Sequence, residues 1–147
     1  MNHSILKSIA EKHNCPIYVY DGNKIKKQYE RLTNAFSSIK NLRINYACKA
    51  LSNISILSLM RSMGSGLDTV SIQEVQLGLK AGFKAENIIF TPNGVSMNEI
   101  EKVASLGVQI NIDNLTILEQ FGSKYQDIPV CIRINPHVMA GGNSNIS

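Results

Sequence analysis

Short β-rich runs return along this chain at intervals of roughly 20 residues, and each interval is filled by a segment of helical period. The runs are "LRINYACK" (42–49), "GLDTVS" (66–71), "NIIFTP" (87–92), "VQINID" (108–113) and "PVCIRIN" (129–135). They are rich in the β-branched and aromatic residues that suit a pleated, buried surface. The first interval holds "NISILSLMRSM" (53–63), in which Ile56, Leu59, Met60 and Met63 share one helical face. "IQEVQLGLKAG" (72–82), "SMNEIEKVASLG" (96–107) and "NLTILEQFG" (114–122) fill the others. Local punctuation agrees with this reading. Asn53 suits an N-cap, Gly64 and Gly82 suit helix stops, and Ser96 with Glu99 forms a capping-box pattern. Asp113 is read as structural, because "DN" before a helix is an N-cap signature.

Strands joined through helices must run parallel, with right-handed crossovers. The short step between strands suits a (β/α) barrel better than a doubly wound sheet. The expected fold class is therefore α/β, a partial (β/α)8 TIM barrel with about five of the eight βα units. A strand at "PIYVYD" (16–21) and a helix from Asn23 to about Ile39 are expected to lead in. This divides the chain into residues 1–41 and a barrel portion, 42–147, that is the front of a longer barrel. The alternative is a small open α/β sheet, complete as it stands.

Composition narrows the function classes. Fifteen basic and eleven acidic residues give a net charge of +4. A nucleic-acid surface calls for a clustered basic stripe with aromatic platforms; the nearest candidate, Lys24, Lys26, Lys27, Arg31, Lys40 and Arg43, flanks one expected helix, and charge runs on amphipathic helices are common. It reads as a solvated helix face, so no nucleic-acid partner is expected. Cys15, Cys48 and Cys131 are far apart, and no Cys/His cluster exists, so neither a disulfide framework nor a metal site is expected. Cys48 and Cys131 lie in apolar runs, where a thiol behaves as a small hydrophobe. The N-terminus carries charges inside any apolar stretch, so neither a secretory signal nor a membrane span is expected and the location is read as cytoplasmic.

Polar residues recur at one end of these apolar runs. Lys49 closes the first, Asp68 and Ser71 stand at or near the end of the second, and Thr91 and Asn93 close the third. Asp113 ends the fourth, and Arg133 with Asn135 the fifth. In (β/α) barrels chemistry gathers at the C-terminal ends of the strands. A lysine there has a particular use. Desolvation or neighbouring positive charge frees its amine to attack a carbonyl. The plainer alternative is a lysine whose stem packs while its head reaches water.

The blocks "YACKALSN", "GSGLDTVSIQEVQLGLKAGF", "NIIFTPNGVSMNEIEKVASLG", "INIDNLTILEQF" and "CIRINPHVMAGGNSNIS" stand in order along the chain, within a resemblance that runs from about Cys15 to the last residue. Together they resemble the N-terminal half of the pyridoxal-5'-phosphate-dependent decarboxylases with an alanine-racemase-like barrel. "INPHVMAGGNSNIS" is closer to their diaminopimelate branch than to the ornithine branch. The resemblance implies that Lys49 carries the pyridoxal phosphate and is the catalytic lysine. It implies that Asp68 lies near the cofactor, that Arg133 lies near its phenolic oxygen, and that Glu74, Ser71 and Asn93 support them from behind. One departure is Leu51, where the family commonly has Asn; Asn53 is the nearest polar substitute.

The same resemblance implies decarboxylation of meso-diaminopimelate to L-lysine by a homodimeric parent enzyme acting on a small amino-acid substrate. Other essential groups would lie beyond Ser147 or in a C-terminal β domain, so the 147-residue chain alone is expected to be inactive. A related decarboxylase of ornithine, arginine or carboxynorspermidine is the alternative within the family. A non-catalytic pyridoxal-phosphate-binding barrel protein and a non-catalytic α/β interaction domain are alternatives of other classes.

Overall fold

A computed structural model describes residues 2–136. The chain forms two compact units, Met1–Leu42 and Arg43–Ser147. The second unit is a five-stranded, all-parallel sheet in the order β1-β2-β3-β4-β5. Its strands are β1 (Asn45–Ala47), β2 (Gly66–Thr69), β3 (Ile88–Phe90), β4 (Gln109–Ile112) and β5 (Val130–Ile132). Helices α1 (His3–His13) and α2 (Gly22–Ala35) precede them, and α3 (Ile54–Ser62), α4 (Ile72–Lys80), α5 (Met97–Ser105) and α6 (Leu115–Lys124) alternate with them. Sequential neighbours joined by helices are the consecutive units of a (β/α) barrel, as expected.

One face of the sheet meets the helices. Leu67, Ile88, Phe90, Ile110 and Ile112 are buried, together with Leu57, Met60, Val75, Ile100, Val103 and Phe121 from α3–α6. Gly78 lets α4 come down onto this layer, because a Cβ there would collide with Leu67 and press on Ile88. The residues that alternate with the apolar ones, Asp68, Ile89, Thr91 and Asn111, are half-buried. A parallel sheet normally reads as apolar on both faces; here the second set is largely polar.

The caps behave as their residue types require. Asn53 accepts from the Ser55 and Ile56 amides, Ser71 and Ser96 accept from the Glu74 and Glu99 amides, and Asn114 accepts from Ile117. Asn114, rather than Asp113, is the side chain that caps α6. Gly64 and Gly82 leave α3 and α4 with φ of 87° and 91°, a left-handed backbone that only glycine adopts without strain. Ser96 and Glu99 complete only half of the expected box. The Glu99 carboxylate turns instead to the Ile72 amide at 3.2 Å, at the start of the neighbouring helix α4.

In the first unit the expected strand at residues 16–21 is absent. That stretch is irregular, Tyr18 is 91% exposed, and α1 stands ahead of it where no helix was expected. β-propensity is realised only against a partner strand, and this unit contains none among its described residues. Asp21 instead ends the stretch as the N-cap of α2, accepting from Asn23 and Lys24. These hydrogen bonds hold its carboxyl below the usual range, the Lys24 amide contributing most.

Candidate active site

Strand β1 ends at Ala47, two residues earlier than expected, and Lys49 sits in a 3₁₀ turn, Cys48–Ala50. The turn is fixed from both sides. Cys48 is fully buried, and the Tyr46 hydroxyl donates to the Leu51 carbonyl at 3.1 Å. Lys49 itself is exposed and makes no hydrogen bond or ion pair to a described residue. The side chain is therefore sterically accessible, and residues 2–136 do not bury it.

Asp68 stands in register with Ala47 across the β1–β2 ladder, next to the strand that leads into the lysine turn. Its Oδ1 accepts from the Thr91 hydroxyl at 2.8 Å, and Thr91 Oγ1 accepts from Asn111 Nδ2 at 3.0 Å. Three consecutive strands are thus linked through side chains on their polar face. Asn111 was not among the residues singled out above, and Thr91 was only noted at its strand end. Their partnership depends on strand register, which a single sequence does not display.

The loop after Asp68 is held by carboxylates. Glu74 Oε2 accepts from the Val70 amide at 2.8 Å, Ser71 Oγ accepts from the Glu74 amide at 3.2 Å, and Glu99 closes the Ile72 amide. The Ile72 and Glu74 amides are orphan donors of the first turn of α4, the Val70 amide lies just ahead of its cap, and negative charge is favoured there by the helix dipole. Ser71 and Glu74 therefore act on the backbone that carries Asp68. Asn53, the polar substitute considered for Leu51, is committed to capping α3.

Cys48 lies under this region. Burial pushes its thiol up to about 11, and the charges of Glu74 and Asp68 add to the effect. Cys131 departs from the small-hydrophobe reading: it is exposed on the last described strand, where its Sγ meets Gln109 Nε2 at 3.0 Å. Asn93 lies in a cleft of about 220 Å³ between the ends of β3 and β4, lined also by Asp113 and Asn114. Arg133 follows β5, with its amide donating to the Ile112 carbonyl at 2.8 Å and its guanidinium exposed. Arg133 and Asp113 border a second cleft of about 240 Å³. His137 and the "GG" at 141–142 lie outside the described residues, as does most of "INPHVMAGGNSNIS". Among the described residues no group of three His, Cys, Asp or Glu could hold a metal ion, and no helix is long and apolar enough to cross a membrane.

Comparison with known proteins places this arrangement. Residues 22–147 match the family described as pyridoxal-dependent decarboxylase, pyridoxal binding domain. A diaminopimelate decarboxylase of Helicobacter pylori is 39% identical over 149 aligned residues, covering 96% of this chain and 36% of the relative. One from Methanothermobacter thermautotrophicus is 34% identical over 135, covering 90% and 32%. The crystal structure of the Helicobacter pylori diaminopimelate decarboxylase complexed with L-lysine superposes with a TM-score of 0.80 at 38% identity, covering 90% of this chain and 35% of that one. The chain thus spans about a third of the length of these relatives. The chain belongs to the pyridoxal-dependent decarboxylases and matches the pyridoxal binding domain of that family.

Proposed function

We propose that this chain is the part of a meso-diaminopimelate decarboxylase that anchors the cofactor, and that the whole enzyme releases carbon dioxide to form L-lysine. The observation that carries the reading is Lys49: an accessible amine without a described partner, at the C-terminal end of a parallel strand, in a turn held by Tyr46 and Cys48. These residues fit pyridoxal phosphate, since Lys49 would hold it covalently through Nζ. Asp68 and Arg133 would lie close to it, and Ser71, Glu74 and Asn93 would support the loops around them. When bound, the cofactor supplies a sink for the electron pair left when carbon dioxide departs. The chain's own part is to present the amine at a fixed height, keep the Asp68 carboxylate oriented, and hold the β2–α4 loop in place.

The substrate follows from the relatives, whose names specify diaminopimelate. A polypeptide carrying residues 1–147 at the length of those relatives is expected to be a homodimer in the cytoplasm. Supplied with pyridoxal phosphate, it is expected to yield lysine from meso-diaminopimelate in preference to products from ornithine or arginine. The 147-residue chain alone is expected to yield none. Preferred turnover of ornithine by the longer polypeptide would overturn the substrate assignment. Lysine formation by the short chain would show that residues beyond it are dispensable.

A further inference from the structure

The hydrogen-bond chain from Asn111 through Thr91 to Asp68 has only one possible direction. A carboxylate can only accept, so the Thr91 hydroxyl must spend its single proton on Asp68 Oδ1. Thr91 then has only lone pairs left, so Asn111 must face it with its NH₂ group, as the 3.0 Å contact from Nδ2 has it. This places Asn111 Oδ1 on the other side, where it is buried and has no partner among the described residues. Each group fixes the next, from β4 across β3 to β2. A threonine hydroxyl alone is a free rotor; here the amide of the next strand locks it.

From this geometry we propose that Thr91 and Asn111 are positioning residues, and that Asn111 acts on the Asp68 carboxylate through Thr91. Asn111 has no hydrogen bond to Asp68 and reaches it only by setting the Thr91 proton. Asp68 Oδ2 has no partner among the described residues, so the orientation of this carboxylate rests on the Thr91 hydrogen bond and its backbone. The consequence for catalysis rests on the proposed place of Asp68 beside the cofactor. The coupling itself is a property of this chain alone.

The test is a cycle of variants read by the ¹³C resonance of the Asp68 carboxyl group at fixed pH. Thr91→Val and Asn111→Ala are each expected to move that resonance, and Thr91→Ser to leave it in place. In a Thr91→Val background, Asn111→Ala is expected to move it no further. Asn111→Asp, which keeps the side-chain shape but cannot donate, is expected to behave like Asn111→Ala. An Asn111 effect of equal size in both backgrounds would overturn the proposal, as would no effect in the native background. A second reading is the rate at which borohydride traps pyridoxal phosphate on Lys49. It should fall about tenfold in either single variant and no further in the double, the size expected for losing one hydrogen bond to a charged acceptor. A native chain that traps no cofactor would contradict the cofactor reading, while the resonance cycle would still decide the coupling.

Discussion

The Tyr46 hydroxyl donates to the Leu51 carbonyl at 3.1 Å, closing the backbone around Lys49 into a small loop. The strand supplies one end of that contact and the exit from the 3₁₀ turn the other. The lysine is therefore carried on a tied segment and not on a free one.

Tyr46→Phe removes the tie and keeps the ring. The half-buried hydrogen bond is worth about 1 kcal/mol, so urea unfolding should show a loss of that order with an unchanged m-value. Capture of pyridoxal phosphate at Lys49 should slow in the same variant. Unaltered stability together with unaltered capture would show that the turn holds without its tie.

Two glycines should respond in opposite senses to alanine. Helix propensity favours alanine by about 1 kcal/mol in both α4 and α6. At Gly78 the added Cβ collides with Leu67 and crowds Ile88, and overpacking of this kind costs about 1–3 kcal/mol. Gly78→Ala is therefore expected to lower the melting temperature. At Gly122 nothing lies within 4 Å, so Gly122→Ala is expected to raise it. A stabilising Gly78→Ala would mean that α4 can shift away from the sheet.

The thiols should separate by reactivity. The native chain is expected to expose Cys15 and Cys131 to a thiol reagent at pH 8 and to protect Cys48, which reacts only on unfolding. Its thiol, raised from 9.0 to about 11 by burial and by Glu74 and Asp68, stays protonated in the fold. Between those values the unfolded chain releases a proton that the folded chain keeps, so stability falls as pH rises. Cys48→Ser would be a poor control, because it buries a hydroxyl. Cys48→Ala should flatten the alkaline slope, measured as urea midpoints between pH 8 and 10.5. An unchanged slope would remove Cys48 as its source.

Much of the barrel portion was legible from local patterns, and the physical reason is that each pattern is settled within one turn or one strand. Asn53, Gly64, Gly82 and Ser96 punctuate helices by the groups they carry. The β-rich runs at 66–71, 87–92 and 108–113 mark three of the strands. Lys49 was visible because an ammonium group at the end of an apolar run is costly to ignore. Residues 16–21 misled because their β-branched and aromatic composition says nothing about whether a partner strand exists. Glu99 was read as closing its own helix, but it spans to Ile72, 27 residues away. Thr91 and Asn111 meet only once β3 and β4 are in register. Cys131 was judged by its apolar neighbours in sequence, whereas β5 is the last described strand and leaves both Cys131 and Ile132 exposed.

The most direct test of the account is where the aldehyde lands. The chain is incubated with pyridoxal phosphate, reduced with borohydride, digested and mapped by mass spectrometry. The account predicts one dominant adduct, on the peptide containing Lys49, and its loss in Lys49→Ala. Label spread evenly over exposed lysines such as Lys24, Lys26 and Lys27, and unchanged by Lys49→Ala, would contradict it.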